Sequence, residues 1–299
     1  MRTTCLSQPV QTVPAIDFTR RFIPEFITPL SHTRIYRDLS HEQKLRYNQL
    51  YASNFHEQFM SLEKVLIEHL LQPLIHRFRD EKLAEHLIDF RSEEIKHTAM
   101  FHALHVCSEP RLYAHRDFYF LRMPKPLRWA LHQVGKRAAM FPFCLWLTII
   151  EEERTIFYSK LYLEEADQLE PNYVATHRIH LADEVGHVRR DKELLERLWP
   201  DRSGFWRNTN ARIFSAILHE YFNVPKRGGW RVVQELIREF PDLKPATREL
   251  RNQLGALETN EDFLRTLYTR EMVPHTFGLF DRWPEFRFLE QVLPGYHPA

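Results

Sequence analysis

The amino-acid sequence predicts an all-α protein, a four-helix bundle with additional C-terminal helices, on three observations. Apolar residues recur at three- and four-residue steps over long stretches, which is the periodicity of amphipathic helices. No convincing alternation of apolar and polar residues, typical of strands, is present. Only eight glycines occur in 299 residues, which disfavours a turn-dense all-β class.

Composition excludes several classes of protein. Forty-one Lys and Arg residues nearly balance 40 Asp and Glu residues, which argues against a chain that coats nucleic acid or an acidic membrane. The most apolar run, residues 138–150, contains Pro142 and is shorter than the roughly 20 residues that span a bilayer. With no signal peptide visible and no paired cysteine spacing, we expect a compact cytoplasmic protein with neither nucleic acid nor membrane as a partner.

Proline spacing and helix signals divide the chain into three parts. Residues 1–38 contain regularly spaced prolines and are predicted to form an irregular arm on the surface. Residues 39–200 hold four long helical patterns and are predicted to form the bundle. Residues 201–299 are predicted to pack on the same domain as shorter helices, which are expected at residues 210–222, 231–240, 246–257 and 261–272.

The four long helices have recognisable starts and stops. Ser40 and Gln43 form a capping box that opens the first helix, which is predicted to end near Arg77. The second helix is predicted to stop before Pro110. The third is expected over residues 143–165, and the fourth from Pro171, at a first-turn position, to about residue 198.

Carboxylates and histidines interrupt the apolar faces of these helices. Burying an unpaired carboxylate costs several kcal/mol, so a recurrent set of such residues indicates a shared purpose. A helix turns about 100° per residue, so a Glu and a His three positions apart can reach one point. The candidate metal ligands are Glu63, Glu94, His97, Glu153, His180, Glu184 and His187.

Spacing separates this pattern from chance. A single acid-x-x-His match carries no information, because about two are expected at random in a chain of this composition. However, Glu63 precedes Glu94 by 31 residues, and Glu153 precedes Glu184 by 31 residues. In two antiparallel hairpins, such partners lie at similar heights. Two helices that give one Glu and two that give Glu-x-x-His are the donor set of di-metal bundles.

The donor set favours iron or manganese over zinc. Four glutamates carry a charge of −4, which two divalent ions neutralise in a low-dielectric interior. Oxygen ligands with a few imidazoles suit Fe or Mn, whereas zinc more often takes four ligands in a tetrahedron. Glu93 and Asp183, each directly before a motif glutamate, are placed to accept a hydrogen bond from a ligand histidine.

Neighbouring residues compete for some of these assignments. Glu57 is the nearest competitor of Glu63, although it points almost opposite Phe59. Glu151 and Glu152 compete with Glu153, which only the 31-residue spacing and the apolar stripe favour. His177 shares the face of His180 one turn earlier.

The ordered set of glutamates and histidines resembles that of the ferritin-like di-iron oxygenases of the p-aminobenzoate N-oxygenase family. A third histidine one turn before the last Glu-x-x-His distinguishes that family from other di-iron bundles, and His180 fills that place. The resemblance covers about residues 41–198. It implies bridging roles for Glu94 and Glu184, and terminal binding by Glu63 and Glu153. The three histidines would each add a nitrogen ligand.

The resemblance also implies a function. An enzyme of this kind would bind two irons, activate O₂ as a peroxo-di-iron species and oxidise a small-molecule amine to a hydroxylamine and then a nitro group. It would be a homodimer. Electrons would come from a separate reductase, since the sequence has no G-x-G-x-x-G nucleotide motif. Alternatives are carbon hydroxylation or desaturation, iron oxidation as in ferritins, and a metal-free helical binding protein.

Overall fold

The fold is helical throughout the part of the chain that is described. The computed structural model of the protein describes residues 15–79, 82–122, 142–221, 227–293 and 295–297, with the single positions 129 and 133. Among these residues no β-strand occurs, and an isolated bridge joins Arg21 to Leu169. The predicted all-α class is confirmed.

The long helices lie where their sequence signals place them. A π-helical segment, Leu66–Leu71, connects the first two. In chain order the α-helices are α1 (His41–Val65), α2 (Gln72–Arg77), α3 (Lys82–Ser108), α4 (Pro110–Tyr113), α5 (Phe143–Glu164), α6 (Pro171–Leu198), α7 (Gly204–Tyr221), α8 (Gly228–Glu239), α9 (Thr247–Ala256), α10 (Glu261–Arg265) and α11 (Pro274–Arg282).

Local chemistry accounts for the helix ends. The Gln43 backbone N–H donates to Ser40 Oγ at 3.2 Å, and the Ser40 N–H donates to Gln43 Oε1 at 2.9 Å, so the predicted capping box is formed. At the start of α6, Glu170 accepts from two backbone N–H groups, and Pro171 occupies a position that needs no donor. These caps fix where the helices begin.

Four helices form the bundle. α1 packs along α3, α5 packs along α6, and α3 also packs against α6, while α1 contacts α5. The described turn between α5 and α6 is short, so this pair runs antiparallel. Large aromatic side chains, including Tyr47, Phe90, Phe101 and Tyr162, are fully buried between the helices. The bundle therefore has inward faces on which a functional site can be built.

The described part of the N-terminal arm belongs to the core instead of lying on the surface. Its short 3₁₀ helices are Glu25–Ile27, Pro29–His32 and Arg34–Asp38. Phe22 and Ile23 are fully buried, and the Asn48 side chain on α1 accepts from the Phe22 N–H at 2.9 Å and donates to the Ile23 carbonyl at 2.7 Å. Apolar side chains in the arm explain this difference from the prediction, because burying them is favourable.

The C-terminal helices cover the outer side of α5. Trp146 on α5 packs against Phe280 and Phe286, with ring centroids 5.4 and 4.4 Å apart. The helix predicted at residues 261–272 ends at Arg265, and α11 was not predicted. Tyr268 turns its side chain into the core instead of continuing the helix, and Pro274 opens the new one. No described helix has the combined length and apolar character needed to cross a lipid bilayer.

Candidate metal centre

Acidic and imidazole side chains from all four bundle helices meet in the middle of the bundle. Each is at most 8% exposed. These residues are Glu63 on α1, Glu94 and His97 on α3, Glu152 on α5, and His180, Glu184 and His187 on α6. Six of the seven residues that the sequence pattern singled out are therefore brought together.

One group comes from the two Glu-x-x-His turns. Ligand atoms of Glu94, His97, Glu184 and His187 all lie within 4.8 Å of one another. His187 Nδ1 is 2.8 Å from Glu94 Oε1 and 3.4 Å from Glu184 Oε2, and His97 Nδ1 is 3.5 Å from Glu184 Oε1. A three-residue step along each helix therefore lets two helices supply four donors to one point.

A second group adjoins the first and shares His97 with it. Ligand atoms of Glu63, His97 and His180 also lie within 4.8 Å of one another. His180 Nε2 is 3.5 Å from Glu63 Oε1 and 2.6 Å from Glu184 Oε1, so Glu184 reaches towards both groups. Two adjacent positions that share a carboxylate can hold two cations side by side.

The structure brings Glu152, not Glu153, to this centre. Glu152 Oε2 is 3.6 Å from His187 Nδ1. Glu153 turns the other way, where its two oxygens accept from the His275 and Thr276 N–H groups, both at 2.7 Å. It thereby caps the N-terminus of α11, and the expectation that Glu153 lies among the ligands is corrected to Glu152.

Two-sided burial of α5 explains that correction. The apolar stripe that led to Glu153 contains Trp146 and Ile149, which are fully buried. Trp146 faces the C-terminal helices, as its contacts with Phe280 and Phe286 show. The face of α5 that turns towards the bundle centre is about 100° away, and Glu152 lies on it.

Unpartnered polar atoms show that the residues present fit a cation. Both Glu94 oxygens, Glu184 Oε2, His97 Nδ1, both His180 nitrogens and His187 Nδ1 are buried without a hydrogen bond. Some of these atoms are close together, yet their angles do not make hydrogen bonds. Buried polar groups are normally satisfied, and a metal ion is the partner that carboxylate and imidazole lone pairs jointly accommodate.

Carboxylates behind the centre orient two of its imidazoles. Asp183 Oδ2 lies 3.0 Å from His97 Nε2, and Glu93 Oε2 lies 3.0 Å from His187 Nε2. Each contact crosses between α3 and α6, and Lys96 and Arg190 in turn pair with these acids. A proton held on Nε2 by the carboxylate leaves Nδ1 free to bind a cation.

Burial dominates the electrostatics of the carboxylates. It raises the pKa of Glu63 to about 7, against the attraction of His97 and a hydrogen bond from Thr98 Oγ1 at 2.9 Å. Burial, and next the charge of Glu152, raise the pKa of Glu94 well above its ordinary value. Without cations these acids favour their protonated forms.

The imidazoles divide into two kinds. Burial lowers the pKa of His97 to about 4 and that of His180 to about 3, so both are neutral and able to bind a cation. Burial also acts to lower the pKa of His187, but its contacts with Glu152 and Glu94 outweigh it and raise this pKa to about 11. In the absence of metal, a proton on His187 partly neutralises the acids.

The other competing residues are occupied elsewhere. Glu57 accepts from the Tyr113 hydroxyl at 2.6 Å and from the backbone N–H groups of residues 119–121, so it anchors that loop. Glu151 pairs with Arg154 at 2.6 Å. His177 makes a 3.0 Å contact with His56 and another with Ser159, away from both ligand groups.

Two buried residues near the centre were not singled out from the sequence. His56 and Asp191 are both fully buried. His56 precedes Glu63 by seven residues and Asp191 follows Glu184 by seven. Seven residues make almost two whole turns, so a seven-residue step along an inward helical face is the signal that finds both.

A family comparison agrees with the geometry. The family model for p-aminobenzoate N-oxygenase AurF matches residues 10–258. The match extends beyond the bundle residues that carry the motifs and spans most of the chain, so the protein belongs to this family of oxygenases. No curated protein matches the chain at a significant level.

Proposed function

We propose that this member of the p-aminobenzoate N-oxygenase AurF family is a di-iron monooxygenase that oxidises the amine nitrogen of a small molecule. One observation carries the proposal. Two buried groups of carboxylates and imidazoles share His97 and present unpartnered ligand atoms to each other in the bundle centre. The family supplies the class of reaction, an oxygenation.

The four glutamates of the centre would hold the cations together with three histidines. Glu94 and Glu184 are central, since Glu184 lies within ion-pair distance of all three histidines and Glu94 contacts His187. Glu63 and Glu152 flank them from the other two helices. The ligand set is then Glu63, Glu94, His97, Glu152, His180, Glu184 and His187.

Charge supports iron over zinc. Four carboxylates bring a charge of −4 into an interior that excludes water, and two divalent ions cancel it. The set is rich in oxygen donors and has more ligands than one tetrahedral ion uses, which suits Fe or Mn. Manganese would fill the same positions, and we propose iron because the reaction of the family uses O₂.

The protein's own residues keep the centre dry and its imidazoles fixed. Phe101 contacts the His180 ring, with centroids 5.1 Å apart, and Phe90 contacts the His187 ring at 4.3 Å. Asp183 and Glu93 hold the Nε2 protons of the two other imidazole contacts described above. When bound and reduced, the iron pair supplies the electrons and open coordination positions that activate O₂.

A cavity between α1 and α5 is the proposed place for the amine. Its lining includes Tyr51, Asn54, Phe55 and Tyr158. Phe55 stacks edge-on against Phe59, which in turn packs on His180, so the cavity adjoins the centre. Asn54 Oδ1 is buried without a hydrogen-bond partner and can accept from an N–H of the substrate.

The reaction requires two further partners. Conversion of an amine and O₂ to a hydroxylamine and water consumes two electrons and two protons, so an external electron donor must act in each cycle. A separate reductase is proposed for this role. A second copy of the chain, forming a homodimer, is also proposed, and light scattering coupled to gel filtration tests it.

Single-turnover chemistry tests the proposed function. The protein is loaded anaerobically with two equivalents of Fe²⁺, mixed with O₂ and then offered p-aminobenzoate as the probe arylamine. We expect the hydroxylamine or nitro product in amounts close to the loaded iron pairs, and none from the Glu94→Gln variant. Bound iron that reacts with O₂ but oxidises carbon, or only itself, would replace N-oxygenation with the corresponding alternative.

A further inference from the structure

Asp191 is a buried acid whose place in the fold has no structural explanation. It lies on α6, one turn after His187, and none of its surface is exposed. Neither carboxylate oxygen has a hydrogen-bond partner. Leaving such a group unpaired in a protein interior costs several kcal/mol, so a residue of this kind is expected only where something compensates for it.

Neighbouring cations do not provide that compensation. Arg190, the adjacent residue, directs its guanidinium to Glu93 at 2.6 Å. The groups whose charges act on Asp191 are Glu152, His187 and Arg190. Glu152 repels the Asp191 carboxylate, and His187 faces Glu94 and Glu152. The surroundings described for Asp191 therefore hold no direct partner for its charge.

The helix geometry directs Asp191 to the metal centre. It follows Glu184 by seven residues, which brings it to within about 20° of the same direction on α6, two turns along. Glu94 faces His187, so Phe90, one turn before Glu94 on α3, lies at the height of Asp191. Phe90 is fully buried, and the acid thus borders the centre within an apolar layer.

Asp191 belongs to neither of the two groups of close ligand atoms. A direct bond to a cation shared with those residues is therefore not what the geometry offers. A carboxylate at somewhat greater distance can still act through its charge, which is weakly screened in a dry interior. It can also accept hydrogen bonds from water that a cation holds.

We propose that Asp191 is a fifth carboxylate of the metal centre, which stabilises bound cations from one turn beyond His187 by its charge and by accepting hydrogen bonds from water at the cation site. This inference rests on the proposed function, since it requires a metal pair. It makes Asp191 a positioning residue. The acid costs stability in the metal-free protein and contributes it when metal is bound.

Manganese binding and stability without metal together test the inference. The probe is Mn²⁺, whose free form is counted by electron paramagnetic resonance in the presence of the full-length wild-type protein, Asp191→Asn and Asp191→Leu. Thermal unfolding of the same proteins is followed after chelation. We expect both variants to bind Mn²⁺ at least tenfold more weakly, and Asp191→Leu to unfold, without metal, at or above the wild-type temperature.

Glu153→Gln is the matched control, because Glu153 is a buried acid that caps α11 and lies outside the centre. We expect it to bind Mn²⁺ within twofold of wild type. Unchanged binding in both Asp191 variants would overturn the inference, and so would equal weakening in the control. Failure of the wild-type protein to bind Mn²⁺ or Fe²⁺ would instead overturn the proposed function itself.

Discussion

Glu152 and Glu153 are neighbours in sequence with separate tasks, and their difference is measurable. Glu152→Gln removes a carboxylate from the centre, so we expect at least tenfold weaker Mn²⁺ binding with little change in the stability of the metal-free protein. Glu153→Gln loses an acceptor at the start of α11, and we expect it to lower the free energy of unfolding by about 1–2 kcal/mol. Metal titration and denaturant unfolding of both variants check this. The opposite assignment of effects would restore Glu153 as the ligand.

The acids behind the imidazoles give a second prediction at this scale. Asp183→Asn and Glu93→Gln keep side-chain volume but weaken the hold on His97 and His187. We expect metal affinity to fall by about 10- to 100-fold in each. Competition with a chelator of known affinity measures it. Lys96→Met, which removes only the outer partner of Asp183, serves as the comparison and should have the smaller effect.

Which residues form the centre could be predicted from the sequence to the extent that helix phase was unambiguous. Each Glu-x-x-His turn carries its own register, so Glu94, His97, Glu184 and His187 follow directly. α5 is buried on both sides, and its apolar pattern cannot tell the bundle face from the face that contacts the C-terminal helices. Choosing between residues one position apart then required the tertiary structure.

At the scale of elements, caps and prolines were sufficient for the long helices. Ser40 and Pro171 mark the starts of α1 and α6 as predicted. The hairpin spacing was a weaker guide, since equal spacing implies equal height only for equal geometry. The first hairpin contains the π-helical segment Leu66–Leu71, whereas α5 and α6 are α-helical throughout. A slip of one residue between the hairpins follows naturally.

The capping box at α1 supports a prediction about elements. Ser40→Ala removes the acceptor for the Gln43 N–H, and we expect it to lower the free energy of unfolding by about 1 kcal/mol. Metal content should be unchanged, because the cap is more than 20 residues before Glu63. Ser40→Asp, which restores an acceptor, is the control and should retain stability. Iron loss in Ser40→Ala alone would show that the helix end and the centre are coupled.

For the whole molecule, protonation and metal binding oppose each other. Burial raises the pKa of Glu63 to about 7 and raises that of Glu94, while carboxylate contacts raise the pKa of His187 to about 11. These groups must lose protons to bind a cation, so affinity should increase as the pH rises. One released proton corresponds to about tenfold per pH unit.

We therefore expect Mn²⁺ affinity to increase at least tenfold per unit between about pH 6 and 8. Calorimetry in buffers of different ionisation enthalpy counts the protons released and should give one or more per site at neutral pH. His97 and His180 add none, since burial already keeps them neutral. Affinity that does not vary with pH would mean that the centre is already deprotonated without metal.

Anomalous diffraction at the iron absorption edge, from crystals of protein loaded anaerobically with Fe²⁺, tests the central claim most directly. The account predicts two peaks about 3.5–4 Å apart, enclosed by Glu63, Glu94, Glu152 and Glu184. Glu153 should remain hydrogen-bonded to the start of α11. An absence of iron at that position, or a peak bound by Glu153 instead of Glu152, would contradict it.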